Sequence, residues 1–119
     1  MTGSEHSRSR EVRAGINEST FREINEQLVA TVALEGADGE LHDVVCECAR
    51  LDCTELVTLS VAEYDRIRAE GERFVVAPSE EHVSAEAERV VVRDDRYWVV
   101  EKLGVAGDIA NDLDPRDPS

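Results

Sequence analysis

The segment from Cys46 to Cys53 reads CECARLDC, and it contains all three cysteines of the 119-residue chain. Cys46 and Cys48 are two residues apart, so on an extended segment both sulfurs point to the same side. The four residues that follow are enough for the chain to turn back and present the sulfur of Cys53. Simple burial of small residues, or a redox-active thiol pair, is the alternative explanation. Because random burial would scatter cysteines along the chain, we predict that this segment binds a metal ion.

A tetrahedral ion needs a fourth ligand, and we predict that His82 supplies it. His82 lies in a polar loop directly after a strand that can run beside the cysteine segment. His42 is the alternative, although on a straight strand it lies about 13 Å from Cys46. His6, in the polar N-terminal segment, is the weakest of the three candidates. Three thiolates and one imidazole favour zinc over copper or an iron–sulfur cluster.

The charge around the predicted site bears on its chemistry. Three thiolates and a divalent ion leave a net charge of minus one, which Arg50 could balance or bind by donating to a sulfur. If the fourth position were open to water, Glu47 and Glu81 would be the candidate bases. The sequence has no HExxH motif, no Gly-rich phosphate loop and no zinc-deaminase pattern. We therefore expect a structural metal and no enzymatic activity.

Composition limits the kinds of partner. The chain has 27 acidic residues against 13 Lys plus Arg, for a formal net charge of -14. Such a charge repels nucleic-acid phosphates and anionic membranes, so we expect no direct nucleic-acid or membrane binding and, if there is a partner, a basic protein. No apolar run has the length of a membrane span, and the N-terminus lacks the apolar core of a secretory signal. With an odd number of cysteines as well, a cytoplasmic protein is expected.

Apolar spacing predicts the secondary structure before the cysteines. Residues 1–15 are polar and without periodicity, and we interpret them as a disordered arm. Residues 16–36 are predicted to form a long helix that ends at Gly36. Its apolar side chains recur every three to four residues and are expected to pack on the body of the domain. These side chains are Phe21, Ile24, Leu28 and Val32.

The remaining pattern predicts a small sheet with a packed helix. Strands are expected at residues 41–46, 54–59 and 73–77, and residues 88–102 read as a hairpin around Asp94-Asp95. Ser60 and Glu63 have capping-box spacing at the start of a helix that ends near Gly71. The fold class predicted is α+β, with a small, mainly antiparallel sheet, one packed helix, a long N-terminal helix and a zinc-stapled loop. Residues 16–103 form the single domain, and residues 104–119 form a tail that includes a possible short helix.

The order of these motifs resembles a family of small, largely uncharacterised actinobacterial proteins. The resemblance runs through FREINEQL (21–28), VCECARLDC (45–53), LSVAEYDRIR (59–68), RFVVAPSEEH (73–82) and ERVVVRDDRYWVVEK (88–102), to the DPR near the end. It implies a site of three cysteines and one histidine. It implies no known activity.

These observations together predict a non-enzymatic, structural-zinc domain that acts as a protein-interaction or regulatory module. The metal ligands predicted are Cys46, Cys48, Cys53 and His82. A thiol-based redox or metal sensor that releases zinc is the second hypothesis, because clustered thiolates can be oxidised. A zinc hydrolase with an open metal site is the third.

Overall fold

The fold is that of a computed structural model, which describes residues 3–36, 39–48, 50 and 53–116, with the backbone alone for residues 3–17. The helices of this part of the chain are α1 (Gly3–Leu34), α2 (Val61–Arg68) and α3 (Gly104–Asp112). The strands are β1 (His42–Val45), β2 (Leu56–Leu59), β3 (Arg73–Val76), β4 (Glu88–Arg93) and β5 (Trp98–Lys102). None of the described helices combines the length and the apolar character needed to cross a bilayer.

The strands form two antiparallel sheets, so the predicted α+β class is confirmed. One sheet pairs β1 with β2, and the other has the order β3-β5-β4. The predicted hairpin is present as β4 and β5, with an irregularity between Val90 and Val92. Aliphatic and aromatic side chains of both sheets and of α2 share one core, in which Tyr64, Phe74 and Val100 are completely buried.

Local sequence explains the position of α2. Ser60 accepts a hydrogen bond from the backbone N–H of Glu63 at 3.2 Å, and the Glu63 carboxylate accepts one from the Ser60 N–H at 2.9 Å. This reciprocal pair is the capping box that the spacing predicted. Val61, Tyr64 and Ile67 recur at helical spacing and are buried against the core.

The long helix begins at Gly3 in the structure rather than at Ile16. The N-terminal residues were expected to be an irregular arm because they lack apolar periodicity. They nevertheless contain Glu, Arg and Ala, which have high helix propensity, and no proline. The helix ends as predicted, since Gly36 adopts a positive φ of 76° directly after the last turn.

The buried face of α1 is mainly polar. Of the apolar side chains expected to pack on the domain, Val32 packs against the core, whereas Ile24 and Leu28 stay exposed. Ile24 and Leu28 are 44% and 42% exposed, and Phe21 and Val32 are only partly buried. The side chains that α1 buries are Glu18, Ser19, Arg22, Asn25 and Val29. This face is polar because α1 packs against backbone carbonyl groups. Arg22 donates to the carbonyl oxygens of Gly71 and Ala110 at 2.6 and 2.7 Å.

Two clusters of salt bridges hold α1 on the domain at different positions along the helix. The ammonium of Lys102 on β5 contacts the carboxylates of Glu18 and Glu88, and all three side chains are buried. About two turns further on, Glu26 binds Arg68 of α2 at 3.0 Å and Arg116 at 2.7 Å.

The C-terminal helix belongs to the packed body. The sequence predicted a short helix there, and α3 packs against α1 and β5. Ala106 and Ala110 are buried, and a Cβ at Gly107 would lie 2.9 Å from the Lys102 carbonyl oxygen. Small residues therefore allow α3 to approach β5 closely.

Candidate metal centre

The structure brings together the four predicted metal ligands. The ligand atoms of Cys46, Cys48, Cys53 and His82 all lie within 4.8 Å of one another. The His82 Nδ1 atom is 3.6 Å from the Sγ atoms of both Cys46 and Cys53. Cys46, Cys48 and His82 are buried, and Cys53 is partly exposed. These four residues are therefore placed to bind a metal ion.

The cysteine segment leaves one sheet and joins the other. Beyond the end of β1, the Cys46 N–H donates to the Glu55 carbonyl oxygen at 3.1 Å, which prolongs the ladder with β2. The next residue, Glu47, donates its N–H to the Val75 carbonyl oxygen of β3 at 2.8 Å. On this extended segment, alternation places the sulfurs of Cys46 and Cys48 on one side and the Glu47 side chain on the other.

His82 reaches the sulfurs from the loop after β3, as the sequence predicted. Pro78 follows that strand, and a short 3₁₀ turn at Glu80–His82 then begins at Ser79, whose hydroxyl accepts from the Glu81 N–H. The imidazole turns Nδ1 toward the sulfurs, while Nε2 lies 3.8 Å from a carboxylate oxygen of Glu81. Nδ1 is therefore the ring nitrogen placed to bind a metal.

Backbone N–H groups point at all three sulfurs. The Ala77 N–H donates to Cys46 Sγ at 3.2 Å. The backbone N–H groups of Arg50 and Glu55 hydrogen-bond the thiols of Cys48 and Cys53. Hydrogen bonds of this kind favour the thiolate form, which is the form that binds metals. The main chain of Arg50 thus donates to a sulfur, while the expected charge balance by its side chain stays a prediction.

Negative charge is shared unequally among the three thiols. The hydrogen bond between Cys46 and Cys48 lowers the pKa of Cys48 to about 4 and raises the pKa of Cys46. Burial raises the pKa of Cys53. The cluster therefore has one thiol that ionises readily and two that resist a second negative charge. A divalent cation offsets that repulsion, and a coordinating thiol is deprotonated by its metal.

The buried carboxylate of Glu47 has a structural role, whereas the sequence had suggested only that it could be a catalytic base. Its Oε1 accepts from the Val75 N–H at 3.0 Å, and its Oε2 accepts from Asn25 Nδ2 at 2.8 Å and Tyr64 Oη at 2.7 Å. Burial raises the pKa of Glu47, and the hydrogen bonds from Asn25 and Tyr64 oppose that rise. The spacing could have predicted this, because a residue between two ligands on an extended segment points away from them.

Among the histidines whose side chains the structure describes, His42 does not join this group. His42 begins β1, where it pairs with Leu59 of the neighbouring strand, and it is not among the described residues that converge on the cluster. β1 keeps a regular antiparallel register with β2 from His42 to Val45, so the bend that His42 would need is not made. The side chain of His6 lies outside the described residues.

Two separations among the ligand atoms have the length that a tetrahedral ion requires. Zinc binds sulfur at about 2.3 Å and imidazole nitrogen at about 2.0–2.1 Å, so a tetrahedral centre separates these atoms by roughly 3.6 Å. The two sulfur-to-Nδ1 separations given above have this value. The residues present therefore fit the donor set and the size of such an ion.

By fold and site, the chain is a small α+β protein with a cluster of three cysteines and one histidine that can hold a metal. Comparison with known proteins gives no closer assignment. No protein-family model matches the chain, and searches of curated proteins and of solved structures found no significant match. The resemblance to the actinobacterial family therefore stays a prediction.

Proposed function

We propose that the chain is a structural zinc domain, with Cys46, Cys48, Cys53 and His82 as the four ligands. The observation that carries this proposal is the pair of 3.6 Å separations from His82 Nδ1 to Cys46 and Cys53. Zinc takes three cysteines and one histidine in closed, four-coordinate structural sites. Thiolate ligands also disfavour magnesium and calcium, which prefer oxygen.

A structural role is favoured over a catalytic one by the number and placement of the ligands. Four protein ligands leave no position for the water that a catalytic zinc activates. The carboxylate of Glu47 is held by three donors on the far side of the segment. The Glu81 carboxylate lies beyond the imidazole. We therefore propose a non-enzymatic domain.

Metal analysis of two histidine variants tests the ligand set. Wild type and His42→Ala should each bind one zinc ion per chain by elemental analysis, and their Co²⁺ forms should absorb as tetrahedral thiolate complexes. His82→Ala should lose at least about 100-fold in affinity against a competing chelator, because even changes behind the ligands cost about 10–100-fold. Metal-free wild type, or equal affinities in the two variants, would refute the proposal.

We propose further that the domain acts by contacting a basic protein. The formal net charge of -14 supports this kind of partner, since complementary charge steers association. Capture from an extract of the source cell should retain a basic protein with the zinc-loaded chain. Much less should be retained with Cys48→Ser or at about 0.5 M salt, where exposed charges are screened. Retention that is indifferent to zinc and salt would argue against the interaction.

A redox sensor is the second candidate, and the partial exposure of Cys53 favours it. Peroxide can take two electrons from two cysteine thiols, giving one disulfide and two molecules of water, and zinc then loses two of its ligands. Exposure to peroxide should release zinc and change the far-UV circular dichroism, and a reductant with added zinc should reverse both changes. Zinc that remains bound through this treatment would exclude the sensor.

A further inference from the structure

Asn25 joins the long helix to the backbone on either side of the first cysteine. Its Nδ2 donates to the Val45 carbonyl oxygen at 2.7 Å and to Glu47 Oε2 at 2.8 Å, and its Oδ1 accepts from the Val45 N–H at 2.8 Å. Val45 and Glu47 flank Cys46, so this one buried side chain binds both neighbours of a ligand.

The docking of α1 depends on directional contacts of this kind. Its buried face is mainly polar, and polar side chains dock only where their partners stand at the correct distance and angle. The other described anchors of this face lead elsewhere. Arg22 binds the carbonyl oxygens of Gly71 and Ala110. Glu18 binds Lys102 of β5, and Glu26 binds Arg68 of α2. Asn25 is therefore the described α1 anchor that reaches the cysteine segment.

A metal ion held by the four ligands would constrain the position of that segment. Cys46 and Cys48 each lie one residue from a group that Asn25 binds, and their sulfurs converge with Cys53 and His82 within 4.8 Å of one another. An ion held by both sulfurs and by His82 fixes the backbone between them. The carbonyl oxygen of Val45 and the carboxylate of Glu47 are then presented to Asn25 in one arrangement.

We propose that Asn25 is a positioning residue through which metal occupancy controls the docking of α1. The inference rests on the proposed zinc site and adds its regulation: the ion signals to the long helix. Coupling between two events is reciprocal, so docked α1 raises metal affinity by the same factor that the metal stabilises docking. Loss of the ion frees a helix whose docked face is mainly polar.

Hydrogen exchange on the full chain, measured with zinc added stepwise to metal-free protein, tests the proposal. Exchange in peptides from residues 18–34 should slow by about tenfold or more as zinc binds, the factor that one or two net hydrogen bonds supply. In Asn25→Ala this zinc-dependent slowing should largely disappear, and zinc affinity should fall by a similar factor. Glu26→Ala is the matched control: it weakens docking through α2, so the slowing by zinc and the zinc affinity should persist.

The outcomes separate this inference from the proposed function. Wild type that binds no zinc contradicts both. Wild type that binds one zinc ion while exchange in residues 18–34 does not change contradicts the coupling alone. The coupling is also overturned if Asn25→Ala and Glu26→Ala lose equal zinc affinity, or if β3, β4 and β5 open together with α1. The wild-type titration decides the matter even if Asn25→Ala fails to fold.

Discussion

Cys46, Glu47 and Cys48 show how three adjacent residues can serve two structural purposes. Extended backbone sends the two sulfurs to one side and the carboxylate to the other. The sulfurs meet His82, while the carboxylate meets donors from α1, α2 and β3. A buried carboxylate is costly unless it is hydrogen-bonded, and this one has three donors. The segment is therefore held from both sides.

Replacement of Glu47 by Gln tests this arrangement at the scale of one residue. The Gln side chain is nearly isosteric, but its NH₂ group faces a donor where the carboxylate had an acceptor. We expect the free energy of unfolding, measured in urea with saturating zinc, to fall by about 1–3 kcal/mol. Glu55→Gln, at an exposed position opposite Cys46, should change little. Equal stability of the two variants would contradict the structural role of Glu47.

At the scale of elements, an ion pair joins the start of α2 to the hairpin of β4 and β5. Glu63 binds Arg96 in a bidentate manner, with Oε2 to Nη2 at 2.6 Å and Oε1 to Nη1 at 3.0 Å. The hydrogen bonds from Arg96 lower the pKa of Glu63 to about 2. Because the same carboxylate caps α2, one side chain fixes the helix start and the turn of the hairpin.

The acid dependence of stability tests this pair. Glu63 has its lowered pKa only in the folded chain, so its ionisation contributes stability that is complete above about pH 4.5 and is lost toward pH 2. The difference in unfolding free energy between wild type and Glu63→Gln should be constant from pH 7 to 5 and should shrink below pH 4.5. Subtraction removes the effect of acid on the zinc ligands, which the two proteins share. A difference that does not change with pH would contradict the pair.

The polar face of α1 gives a second prediction at this scale. Arg22 is completely buried, donates to two carbonyl oxygens and lies over the Phe74 ring at 4.4 Å. Arg22→Ala should cost about 1–3 kcal/mol, because it leaves both acceptors unpaired. Ile24→Ala, on the exposed face of the same helix, should stay within about 0.5 kcal/mol. Thermal unfolding of the zinc-loaded variants measures both losses of stability. A larger loss for Ile24→Ala than for Arg22→Ala would support the apolar face that periodicity predicted.

These elements show which features of the fold could be predicted from the sequence. Local signals succeeded: the capping box of Ser60, the hairpin and the cysteine spacing each depend on neighbouring residues. The buried face of α1 could not be read in the same way. Arg22 and Asn25 are buried because they donate hydrogen bonds to carbonyl and carboxylate groups far along the chain. Helical periodicity shows only where apolar residues recur, so it does not predict these contacts. His82 was found because its chemistry limited the candidates to three histidines.

At the scale of the whole molecule, the acidic excess extends into the interior. A buried cluster joins α1 to the hairpin of β4 and β5. Its members are Glu18 of α1, Glu88 of β4 and Lys102 of β5. Two carboxylates and one ammonium would carry a net negative charge, and a buried unpaired charge is costly. One carboxyl group is therefore expected to hold a proton, which makes the cluster neutral. The proton belongs on Glu18, since burial raises its pKa to about 8.

This assignment predicts a loss of stability as the pH rises from about 4.5 to about 8. The unfolded chain releases the Glu18 proton near pH 4.5, whereas the folded chain keeps it until about pH 8, so raising the pH through this interval lowers the unfolding free energy. Gln is neutral throughout, and Glu18→Gln should therefore gain stability relative to wild type as the pH rises, up to a plateau above pH 8. Urea unfolding with saturating zinc from pH 5 to 9 measures the difference, with Glu23→Gln as the exposed control on α1. A flat difference would mean that Glu18 is ionised in the folded protein and that the buried cluster carries a net charge.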